Sequence, residues 1–88
     1  MDKRETLERL QERSRYPFKL KRNKDGFWYL FAKNKAGAVE ASIDSWGGFI
    51  VWDLEPDPGK LHQPRGEEEA LELMEGLCER LGMQPRII

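Results

Sequence analysis

The sequence predicts a two-layer α+β domain: an antiparallel meander of three to four strands, a C-terminal amphipathic helix packed on one face, and a short N-terminal helix. Three observations carry that expectation. Apolar residues alternate between residues 16 and 54, with Asn, Asp and Gly clusters punctuating them. Near the C-terminal end, apolar residues recur at three- and four-residue steps. Eighty-eight residues supply one hydrophobic core and no second.

Residues 1–14 read as the N-terminal helix. Arg4 with Glu8 and Glu5 with Arg9 stand at helical spacing. Its apolar content is Leu7 and Leu10, so a helix this short must dock or fray. Pro17 ends it, because the residue before a proline avoids the helical region.

Residues 16–54 read as the sheet. Tyr16, Phe18 and Leu20 point one way, and Lys19 and Lys21 the other. Asn23-Lys24-Asp25-Gly26 is a hairpin turn. In the return strand Phe27, Tyr29 and Phe31 share one face, and Trp28, Leu30 and Ala32 the other. Both faces are apolar, which predicts a central strand with its second face at least partly covered. Residues 34–37 turn again, and Val39, Ala41 and Ile43 alternate with Glu40 and Ser42. Asp44-Ser45-Trp46-Gly47-Gly48 leads into a fourth strand over 49–54. Short connections favour an antiparallel order.

Residues 55–65 hold Pro56, Pro58, Gly59 and Pro64, which predicts an extended surface loop without regular structure. Residues 66–82 read as the C-terminal helix. Glu67, Glu68 and Glu69 occupy its first turn, where the helix dipole favours negative charge. Ala70, Leu71, Met74, Leu77, Cys78 and Leu81 form its apolar stripe, and Gly82 stands where a C-cap glycine belongs.

Charge is segregated along the chain. Residues 1–35 carry 11 Lys/Arg and 5 Asp/Glu, while residues 36–88 carry 4 and 11, so a net of −1 hides halves of +6 and −7. Such asymmetry points to a charged partner without naming it. The first residues have no apolar stretch of signal-peptide type, and no run approaches a membrane span. One cysteine excludes an internal disulfide. A soluble, cytoplasmic protein without membrane contact is the expectation.

Catalysis and cofactors find no motif. One His and one Cys cannot complete a zinc site, a Ser/His/Asp triad has only His62 to draw on, and no glycine-rich phosphate loop occurs. Asp53 with Asp57 is a carboxylate pair that nothing singles out. Cys78 lies on the apolar stripe as a small core residue, and His62 in the proline loop reads as exposed. The element order is similar to that of double-stranded-RNA-binding domains. Their final helix begins with phosphate-binding cations, whereas here Glu67-Glu68-Glu69 would repel phosphate.

Three features remain as candidate binding surfaces. Trp46 sits on a glycine-flanked turn, as an interface anchor would, although it could equally fold back onto the core. Glu68, Glu72 and Glu75 line an acidic helix face suited to a basic partner, or simply to water. Arg15, Lys19, Lys21, Arg22 and Lys24, with Trp28, form a basic aromatic first hairpin suited to phosphates and bases, or to a lysine-protected sheet edge. The favoured expectation is a small non-catalytic module that docks a protein partner as inhibitor, adaptor or homodimer subunit, with Trp46, Glu68, Glu72 and Glu75 as its contacts. The alternative is a nucleic-acid-binding domain working through the first hairpin.

Overall fold

The computed structural model describes residues 2–54 and 59–86. The elements run α1 (Lys3–Arg13), β1 (Lys19–Arg22), β2 (Trp28–Asn34), β3 (Gly37–Ile43), β4 (Phe49–Asp53), β5 (Lys60–His62) and α2 (Glu67–Arg80). All strands are antiparallel neighbours in one sheet of order β1-β2-β3-β4-β5. The α+β meander is as the sequence predicts, with one strand more.

The fifth strand corrects the expectation of an irregular loop over 55–65. Lys60–His62 contains no proline, and Pro64 follows only after the strand has ended. As an edge strand it pairs on one side alone, with Val51, Trp52 and Asp53 opposite His62, Leu61 and Lys60. Residues 55–58, including Pro56, Asp57 and Pro58, lie outside the described residues.

Each of the three tight hairpins is closed by the side chain of an Asn or Asp. Asn23 Oδ1 accepts from the amides of Asp25 and Phe27, at 2.9 and 3.0 Å. Asn34 Oδ1 accepts from Ala36 and Gly37. Asp44 Oδ1 accepts from Trp46 and Gly48, at 2.9 and 2.8 Å. A short side-chain carbonyl that mimics a backbone acceptor is the reason these residues favour turns. Gly26 and Gly47 supply the positive φ, 89° and 87°, that closes the first and third turns.

Alternation sorts the strands into two faces. Leu30, Ala32, Val39, Ala41 and Val51 point inward and are buried. Leu7 and Leu10 of α1 and Met74, Leu77 and Cys78 of α2 close over them in the same cluster. Both helices therefore cover one face of the sheet. The short first helix docks through its two leucines, and Asp2 caps it by accepting from the Arg4 amide. Among the described residues no helix is long and apolar enough to cross a membrane.

The helices also meet through charge. Arg9 reaches Glu67 at 2.7 Å, and Arg13 contacts both Glu67, at 2.8 Å, and Glu68. The C-terminal half of α1 thus brings cations to the glutamates at the start of α2. Arg13, in the last turn of α1, and Glu67 and Glu68, in the first turn of α2, each suit the dipole of their own helix. Behind them Arg15 binds Glu75 through its backbone amide, at 2.8 Å, and its guanidinium. Arg80 ties the end of α2 to the buried Asp53 of β4.

Leu77 is almost fully buried against this core. Leu77→Ala is expected to destabilise the domain by about 2–5 kcal/mol. Urea unfolding followed by tryptophan fluorescence measures it, and a loss under about 1 kcal/mol would place the stripe outside the core.

Candidate binding face

Among the described residues no helix lies on the second face of the sheet. Its side chains follow from the register. Lys19 lies opposite Phe31, Phe31 opposite Glu40, Glu40 opposite Trp52, and Trp52 opposite Leu61. The next row runs Lys21, Tyr29, Ser42 and Ile50. The sequence leads one to expect a second face that is at least partly covered; Tyr29 and Phe31 are half-buried there and do not belong to the core cluster. Their rings meet edge to face at 6.5 Å between centroids. The Lys21 ammonium stands 4.7 Å from the Phe31 centroid.

Two recesses lie on this face. One, of about 420 Å³, surrounds Phe31 and is bounded by Lys19, Lys21 and Lys33. The other, of about 330 Å³, runs past Tyr29, Glu40 and Ser42 to the cleft between the first and third turns. Phe27 lines its end and is 59 % exposed. Among the described residues no carboxylate forms an ion pair with Lys19, Lys21 or Lys33.

The structure divides the basic aromatic hairpin between the two layers. Lys19 and Lys21 stand on the open face. Arg22 and Trp28 belong to the helix side, where Trp28 lies between Arg4 and Arg22, at 4.8 and 5.7 Å from its ring centroid. Arg15 is engaged by Glu75. Lys24 is exposed on the first turn. The rings that join the lysines are Tyr29, Phe31 and Trp52, with Lys33 as the third cation. Parity across the first hairpin is the signal for Tyr29 and Phe31, since the turn pairs Lys21 with Tyr29 and Lys19 with Phe31.

The acidic helix face is partly engaged by the chain's own cations. Glu68 and Glu75 hold Arg13 and Arg15, whereas Glu72 is exposed. Trp46 does not fold back; it is 92 % exposed on the third turn. His62 departs from the expected exposed loop. It lies on β5, half-buried, with Nε2 shielded from solvent and without a hydrogen-bond partner among the described residues. Cys78 is fully buried, and burial pushes its thiol up to about 12, which removes thiolate reactivity near neutral pH. Asp53 is held by Arg80. No group of three or more metal-ligating side chains occurs among the described residues.

Among the described residues Glu40 is the one carboxylate in the middle of the open face, flanked in register by Phe31 and Trp52. Burial pushes its carboxyl above the ordinary value of 4.5. No hydrogen bond or ion pair to it occurs among the described residues.

No protein-family model, no curated protein and no solved structure matches this chain.

A carboxyl whose folded pKa exceeds its unfolded value binds its proton more tightly in the folded state. Its ionised form therefore costs stability above the folded pKa, and that cost fades as pH falls through the folded pKa towards 4.5. Glu40→Gln is accordingly expected to raise the melting temperature at pH 7, with the gain vanishing below pH about 4. Thermal unfolding of both proteins across that range measures it, and a variant less stable than wild type at pH 7 would contradict the sign.

Proposed function

We propose that this chain is a non-catalytic binding module that holds single-stranded nucleic acid on the open face of its sheet. The carrying observation is the ring of three lysines around Phe31, without ion pairs among the described residues, with Tyr29 and Trp52 on the same surface. Cations take phosphates, and aromatic faces take unstacked bases at about 1–3 kcal/mol each. A duplex hides its base faces within the stack, so single strands are the form that uses these rings. The acidic pI of 5.9 is no obstacle to such a face. The glutamates of α2 belong to the opposite layer, and several are neutralised there by arginines. A cytoplasmic location suits this reading.

Fluorescence anisotropy with a labelled thymidine dodecamer, and its uridine counterpart, tests it at low salt. Binding is expected at tens of micromolar protein or below. Three phosphate contacts give a slope of about −2 for log K against log salt. Lys19→Glu with Lys21→Glu is expected to abolish binding with the melting temperature retained, and Phe31→Ala to weaken it about tenfold. Absence of binding at tens of micromolar removes the reading. So does a homodimer by light scattering that Phe31→Ala dissociates, since the face would then be occupied by a second copy.

A second reading rests on Trp46. A tryptophan this exposed, on a turn fixed by two hydrogen bonds to Asp44, has the form of an anchor for a protein partner. Trp46→Ala is expected to leave thermal stability unchanged and to weaken capture of a partner, or self-association, at least about tenfold. Pull-down yield and melting temperature measured on the same variant separate anchoring from folding. A stable variant with undiminished capture would eliminate Trp46.

A further inference from the structure

We propose that Glu40 reads the base on this face and selects guanine, accepting from N1–H and the N2 amino group of a base stacked on Phe31 or Trp52. The inference rests on the single-strand reading of the open face.

Its first support is position. Glu40 stands on the central strand with Phe31 and Trp52 as its two register neighbours. Each ring is carried on an adjacent strand, whose backbone runs about 4.8 Å from that of β3. A base lying on either ring turns one edge towards the carboxylate. The cations lie to one side, with Lys19 and Lys21 on β1 and Lys33 on β2, and Glu40 is on β3. Phosphates held by the lysines therefore leave the bases directed inward over Glu40. Lys21 caps Phe31 in the free protein, and its flexible arm can swing from the ring to a phosphate as a base arrives.

The second support is that the fold gives Glu40 no task. It is half-buried in a strand, where glutamate is a poor choice, and it receives no hydrogen bond among the described residues. Burial already disfavours its charge. A carboxylate kept at such a place is a candidate for function.

The chemistry then chooses the base. An ionised carboxylate only accepts, through two oxygens. Guanine alone has two adjacent donors on its Watson–Crick edge. Adenine and cytosine set one amino group beside a ring nitrogen that repels the second oxygen. Thymine and uracil set one N–H between two carbonyls. A paired contact of this kind discriminates by about tenfold or more.

Three labelled DNA dodecamers test the proposal by anisotropy: all thymine, guanine at every third position, and inosine in place of each guanine. Inosine keeps the stacking surface and lacks the N2 amino group. Wild type is expected to bind the guanine strand about tenfold more tightly than the thymine strand, and inosine to lose most of that gain. Glu40→Gln is expected to bring all three within about twofold while the thymine strand binds at least as well as before. Equal binding of the three strands by wild type overturns the assignment and leaves the platform standing. A guanine preference that survives in Glu40→Gln also overturns it, as does an equal loss on all strands, which would mark a structural role. No binding of any strand by wild type removes the platform and the assignment together.

Discussion

A sheet of five strands has two faces to satisfy, and the described residues form two helices. Neither is large enough to seal a face by itself. α1 brings two buried leucines, and α2 brings Ala70, Met74, Leu77 and Cys78. Only with both on the same side are Leu30, Val39, Ala41 and Val51 fully removed from water. Burial of that one surface is the main source of stability available to a domain of this size. The architecture follows from it: the helices lie side by side, their ends are joined by arginine–glutamate pairs, and the other face is left to water. The uncovered aromatics are thus the remainder of a fold that had helices for one side only.

The same packing pairs part of the charge. Arg9, Arg13 and Arg15 come from the basic half of the chain, and Glu67, Glu68 and Glu75 from the acidic half. Folding brings them together, so the segregation along the sequence cancels in part where the two helices meet. Exposed pairs of this kind contribute little each, and their joint effect is to align two helices that share few apolar contacts. Lysines 19, 21 and 33 are left outside this arrangement, on the other side of the sheet. The sign of the whole molecule and the sign of its open face therefore differ.

Much of this was legible from residue order. Asp25-Gly26 and the alternation around it specify the first hairpin, and the stripe from Ala70 to Leu81 specifies α2. The fifth strand was obscured because prolines at 56, 58 and 64 dominate local propensity, while Lys60–His62 pairs by tertiary contact with β4. The binding face was obscured for a different reason. Trp28 and Arg22 follow Lys19 and Lys21 closely in sequence, yet strand parity sends them to the other layer. Trp52 and Glu40 come from later strands, and only the register places them beside Phe31. The charge asymmetry was visible at once, but whether it faced outward or inward depended on where the two helices docked.

The meander has a kinetic consequence. Every strand pairs with its neighbour in sequence, so the sheet assembles through short loops of low closure entropy. The clasp between Arg9 and Glu67 spans 58 residues of chain and waits until both ends are in place. Contacts made that late are largely absent from the folding transition state and present in the native one. Loosening the clasp would therefore hasten unfolding modestly and leave the folding rate nearly untouched, so what little stability these ion pairs add acts on how long the folded molecule lasts rather than on how soon it forms.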